Sequence, residues 1–183
     1  MGELLAMTIS LTIDTATSQT IVGLIKDGEV LFEKSHSGAT DHGRAVAQLV
    51  SDALSTGVTP DQVVVGMGPG PFTGLRVGIA FAHSFALARG IKVIGICSLD
   101  AIDTGKSDYT VAIDARRKEI YWAKYIDGVR VDGPSVSAPS EVADFIIDLH
   151  PSAAKLVELA KTQNESEPFY LRRPDAVPTA ERT

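Results

Sequence analysis

Residues 8–35 read TISLTIDTATSQTIVGLIKDGEVLFEKS, and residues 109–136 read YTVAIDARRKEIYWAKYIDGVRVDGPSV. In the first stretch β-branched residues crowd 8–13, 20–26 and 29–35, which predicts three strands. Asp27-Gly28 between the last two is a hairpin signal, because a type I′ turn needs positive φ at both central residues. The second stretch repeats the pattern, with strands over 109–114, 119–126 and 129–136. A shift of 100 positions lays Ile13-Asp14 on Ile113-Asp114 and Asp27-Gly28 on Asp127-Gly128. Two such coincidences in matching strand contexts predict an internal duplication.

Between the repeats, Asp41 can cap a helix over 41–54 with Val46, Leu49, Val50, Ala53 and Leu54 at helical spacing. Residues 63–67 and 91–96 read as strands, the first buried by its continuous apolar run. The segment GPGPFTGLR (68–76) leads into a helix over 72–89, which Gly90 stops. On that helix Gly74, Gly78, Ala82 and Ala86 recur every four residues, a stripe that lets another backbone approach closely. Glycine in a helix costs about 1 kcal/mol against alanine, so close packing is the natural compensation. Leu75 and Ile79 extend the apolar surface, and Val77, Phe81 and Phe85 form a second, bulkier stripe. Such a helix must be covered on nearly every side, within the monomer or by a second subunit.

After the second strand triplet the chain offers a helix over 140–149, His150-Pro151, and a helix to about 161, with no strand between them. The expected division is a first lobe (1–104), a shortened second lobe (105–172) and a flexible tail (173–183).

Composition narrows the function. The 183 residues are 44% hydrophobic with a net charge of −6, ordinary for a globular protein and unlike a nucleic-acid binder. Arg116-Arg117-Lys118 and Arg172-Arg173 are the basic clusters, and both read as solvated surface. The single cysteine, Cys97, follows an apolar run and reads as core. His36, His42, His83 and His150 are scattered, without metal-ligand spacing. The glycine-rich loop lacks a Walker lysine, and Pro69 and Pro71 remove two N–H donors, so its role reads as structural, with Thr73 meeting a free helix-end donor. The start of the chain has no signal-peptide pattern, and no apolar run is long enough to span a bilayer, so a cytoplasmic protein is expected.

A duplicated three-stranded meander followed by helices is the α/β pattern of the actin-like ATPase (ribonuclease H-like) fold, in two lobes with the second truncated. There the first hairpin turn faces a nucleotide phosphate, which makes Asp14, Thr15 and Asp114 candidates for holding Mg²⁺ and phosphate. Ordinary turn chemistry explains the same residues.

IDTAT (13–17), GPGPFTGLR (68–76), IDAR (113–116) leading to EIYWA (119–123), SLD (98–100) and PFYLR (168–172) occur in that order. Together they resemble the TsaB family of bacterial tRNA threonylcarbamoyladenosine biosynthesis proteins. The resemblance implies a non-catalytic paralogue of the catalytic subunit TsaD, which acts on the adenosine beside certain anticodons. It implies pairing with TsaD through the first-lobe helices and joining by the ATPase TsaE, with a homodimer in isolation. The corresponding residues are Val46, Leu49, Val50 and Ala53 on the first helix, and Gly74, Leu75, Gly78, Ile79, Ala82 and Ala86 on the second. No catalytic residue and no metal are expected; ATP and Mg²⁺ would bind only at an interface with a partner, and tRNA only through the complex. The sequence departs from the family at Pro71, where Ser is usual, and in its short second lobe. An actin-fold phosphotransferase using Asp14 and Asp114 is the alternative, with a peptidase behind it.

Overall fold

The computed structural model describes residues 7–172. The expectation of a flexible tail at 173–183 lies outside them. Nine strands and three helices follow in the order β1 (Ile9–Asp14), β2 (Gln19–Lys26), β3 (Glu29–Ser37), α1 (His42–Leu54), β4 (Gln62–Gly66), α2 (Phe72–Arg89), β5 (Lys92–Ile96), β6 (Tyr109–Asp114), β7 (Ile120–Ile126), β8 (Val129–Ser137), β9 (Phe145–Ile146) and α3 (Ala153–Leu159) among the described residues.

The first sheet runs β3-β2-β1-β4-β5, and the second β8-β7-β6-β9. In both, a meander is antiparallel and the next strand adds in parallel to the meander's first. This is the actin-like, ribonuclease H-like arrangement, and the two sheets share one strand pattern, as the repeat in the sequence predicts. Asp27-Gly28 (φ 48 and 95) and Asp127-Gly128 (φ 51 and 72) both turn with positive φ, as type I′ chemistry requires.

Alternation along the strands builds two cores on the first sheet. Leu11, Ile13, Val63 and Val65 face Val46, Leu49, Val50 and Ala53 of α1 and Ala82 and Ala86 of α2. Val64, Ile25, Ile94 and Ile96 point the other way, onto Ala153, Leu156 and Val157 of α3. Full burial of Leu156 contributes about 1.5–3 kcal/mol to that contact. Although α3 follows the second meander in sequence, it therefore packs on the first sheet; Gly23 leaves the room, since a Cβ there would lie 2.5 Å from that of Ala153.

Three local expectations are corrected. Residues 140–149 are not a helix: a 3₁₀ turn (Pro139–Glu141) is followed by β9, which pairs Phe145 and Ile146 with Thr110 and Val111. Asp144 and Asp148 at positive φ interrupt any helix, and the open edge of β6 supplies backbone partners instead. Asp41 makes no side-chain cap; its carboxylate lies 3.3 Å from Arg44 Nη2 and 3.5 Å from His36 Nε2. Nor does Thr73 cap α2, whose N-cap residue, Pro71, has no side-chain acceptor. Gly90 ends α2 in the left-handed region, as expected.

A strap over residues 164–172 ties the two sheets. Glu165 N donates to Gly95 O (2.7 Å) and Phe169 N to Met67 O (2.8 Å). Phe169 packs against the cores of both lobes.

Candidate functional site

The turn after β1 is where the fold places the candidate phosphate residues, and their side chains are already committed. Asp14 is fully buried; its Oδ1 accepts from Ala16 N (2.8 Å) and its Oδ2 from Ser98 Oγ (2.6 Å). Gly66 on the neighbouring strand makes the space, because a Cβ there would fall 1.8 Å from Asp14 Oδ2. Burial raises the Asp14 carboxyl to about 6, against the lowering effect of the Ser98 and Ala16 hydrogen bonds.

Thr15 is equally occupied. Its hydroxyl donates to Gly74 O (2.8 Å) and accepts from Gly78 N (3.2 Å), bridging consecutive turns of α2. The small-residue stripe of α2 thus receives the chain's own β1–β2 turn. Asp14 and Thr15 do not fit a Mg²⁺–phosphate group. Asp114 differs: it is exposed, with Oδ1 accepting from Arg116 N (2.9 Å).

Between the lobes lies a cleft of about 240 Å³, lined among others by Thr17, Ser18, His42, Asp114, Arg116 and His150. His150 Nδ1 lies 3.1 Å from Thr17 Oγ1, and His42 Nδ1 lies 2.8 Å from Thr20 Oγ1. Burial lowers the pKa of both imidazoles, with Asp41 opposing at His42 and Asp148 at His150. Sequence reasoning missed both histidines because each meets its threonine only in the folded chain. It also missed the role of Ser98, although the SLD motif marked the position.

The residues assigned to a partner surface are placed differently from the expectation. Val46, Leu49, Val50, Ala53, Gly74, Leu75, Gly78, Ala82 and Ala86 are buried inside the monomer, and Ile79 is half-buried. The sheet covers Val46, Leu49, Val50, Ala53, Ala82 and Ala86, which α1 and α2 lay on β1, β2 and β4, whereas Gly74 and Gly78 lie against Thr15. What α2 leaves open is the opposite face, carrying Arg76, Ala80, His83, Ser84 and Leu87, with Leu87 84% exposed.

Two expectations follow from burial. Asp14 has a folded pKa above its unfolded one, so its contribution is fully present below about pH 4 and is lost as pH rises through about 6. The loss is roughly 3 kcal/mol. In denaturant melts, Asp14→Asn should remove that part of the pH dependence, so that neutral stability rises relative to acid stability by roughly 3 kcal/mol. Cys97 is fully buried, and burial pushes its thiol up to about 12, with Asp100 adding to the rise. The folded protein should therefore resist iodoacetamide at mildly alkaline pH, whereas the unfolded chain alkylates within minutes.

Similarity to known proteins agrees with this geometry. The family model described as "TsaD: tRNA N6-adenosine threonylcarbamoyltransferase" matches residues 31–178. An uncharacterized protein of Mycobacterium tuberculosis is 41% identical over 93% of this chain and 94% of its own length. The tRNA threonylcarbamoyladenosine biosynthesis protein TsaB of Escherichia coli is 36% identical, over 63% of this chain and 54% of that protein. Among solved structures, a Pseudomonas aeruginosa protein described as similar to peptidase YEAZ superposes with a TM-score of 0.77. That match is at 24% identity and covers 90% of this chain and all of that one, a likeness of fold.

Proposed function

Because the chain belongs to the TsaD family and is of the TsaB (YeaZ) type, we propose that it is an accessory, non-catalytic subunit in tRNA threonylcarbamoyladenosine biosynthesis. In this reading it pairs with a TsaD-type catalytic subunit in the cytoplasm, and a TsaE-type ATPase joins the pair. In isolation the same surface pairs two copies of the chain. One observation carries the reading: Asp14 and Thr15, at the turn that faces the nucleotide in active relatives of this fold, are spent on Ser98, Ala16, Gly74 and Gly78. A turn used as a structural joint favours a scaffold over a phosphotransferase. Any nucleotide phosphate in the interlobe cleft would meet Thr17, Ser18 and Asp114 instead.

The surface offered to the partner is the open face of α2 around Ala80, Ser84 and Leu87, flanked by the half-buried Val77 and Phe81. A large apolar side chain held so far out of the core is what association would cover. Sedimentation velocity of the chain with and without the TsaD-type subunit of the same organism tests the pairing. A heterodimer supports it; independent sedimentation of the two proteins across the concentration range would count against it.

A further inference from the structure

The chain's basic clusters, Arg116-Arg117-Lys118 and Arg172-Arg173, sit more than fifty positions apart in a sequence of net charge −6. The fold brings the first of them against Arg172. A cleft of about 110 Å³ lies between the β6–β7 turn, the start of α2 and the strap, lined by Arg116, Arg117 and Arg172 and by the rings of Phe72, Tyr121 and Tyr170. Among the described residues that line it, none carries a carboxylate.

Arg172 braces the turn: Nη1 donates to Ala115 O (3.0 Å), and Nη2 pairs with Glu119. Arg116, Arg117 and Lys118 all have positive φ (64, 56 and 64), so the turn winds left-handed and sets three exposed basic side chains on one tip. The Arg116 side chain is 58% exposed and touches Asp114 only at 3.9 Å. Tyr170 rests on Phe72 with centroids 5.0 Å apart and is 42% exposed, leaving ring surface open to solvent. Arg76 places its guanidinium 5.1 Å from the Phe72 ring centroid, adding another cation to the same edge.

We infer that this cleft is a contact for single-stranded RNA, with a phosphate held by the left-handed basic tip and the adjoining base stacked on Tyr170. A volume of about four waters at liquid density admits one phosphate group and leaves the base outside. Cations beside an open aromatic ring are the combination by which proteins hold single strands without reading their sequence. The choice of RNA among polyanions rests on the proposed role in tRNA modification. The contact revises the reading of these clusters as idle solvated surface and of tRNA as reached only through partners.

Fluorescence anisotropy of a labelled short single-stranded RNA titrated with the full chain tests it. Binding is expected with a Kd on the order of 10⁻⁵ M at low salt, since such contacts are weak and electrostatic. Neutralising about three phosphates, the one in the cleft and one on either side of it, gives a weakening of roughly twentyfold between 50 and 200 mM salt. Asparagine tolerates positive φ, so R116N/R117N/K118N should keep its melting temperature while losing about tenfold in affinity and most of the salt dependence. Tyr170→Ala should weaken binding about tenfold with the salt dependence unchanged. No anisotropy change for the unaltered chain at about 0.1 mM protein, or an unaltered Kd for the triple variant, overturns the inference. Displacement by ATP or by polyglutamate at the RNA's own concentration also overturns it, by assigning the cleft to a mononucleotide or an acidic protein. The titration needs neither the TsaD-type nor the TsaE-type subunit, so its failure and the failure of the accessory-subunit reading are read separately.

Discussion

Gly78→Leu is expected to destabilise the fold rather than to uncouple it from a partner. A Cβ at position 78 would meet Thr15 Oγ1 at 2.4 Å and Thr15 Cγ2 at 3.2 Å. The leucine would thus drive Thr15 out of the joint in which it bridges Gly74 O and Gly78 N. Overpacking costs about 1–3 kcal/mol, and stranding buried polar groups costs a similar amount again. A total near 4 kcal/mol lowers the melting temperature of a chain this long by roughly 8–16 °C. A melt within a degree or two of the unaltered protein would mean that the small-residue stripe of α2 faces outward after all.

The opposite pattern is expected on the other side of the same helix. Ala80 and Leu87 are exposed and lie near one another on the helical wheel, so A80E/L87E removes nothing from the core. Surface changes of this kind move stability by no more than about 0.5 kcal/mol. If the face is covered by the TsaD-type subunit, however, two carboxylates would be desolvated without partners. A penalty of several kcal/mol weakens the pairing at least about a hundredfold. The two variants separate what the sequence could not, because one loses stability and the other only its partner.

Local signals made the strand triplets legible. Both Asp-Gly turns, the buried run of β4 and the Gly90 stop are settled by residues a few positions apart, and the structure has them where the sequence put them. Features set by distant contacts were not legible. β9 exists because β6 has an open edge, which no pattern within 140–149 reveals. The direction of the α2 stripe was ambiguous because the helix is apolar on several sides. What decides it is Thr15, 59 and 63 positions away from its two partners. Asp14 reads as a candidate metal or phosphate ligand until Ser98, 84 positions on, closes over it and Gly66 makes it room. The approach of Arg172 to the 116–118 cluster is of the same kind, since the strap that carries Arg172 across to Ala115 has no periodicity of its own.

The central claim is that this chain assists a TsaD-type subunit through the open face of α2. Its most direct test is the rate of threonylcarbamoyl transfer to tRNA by the TsaD-type and TsaE-type subunits of the same organism. That rate is measured without the chain, with it, and with A80E/L87E. The account predicts strong stimulation by the unaltered chain and none by the variant, whose melting temperature is normal. A full rate without the chain would contradict it.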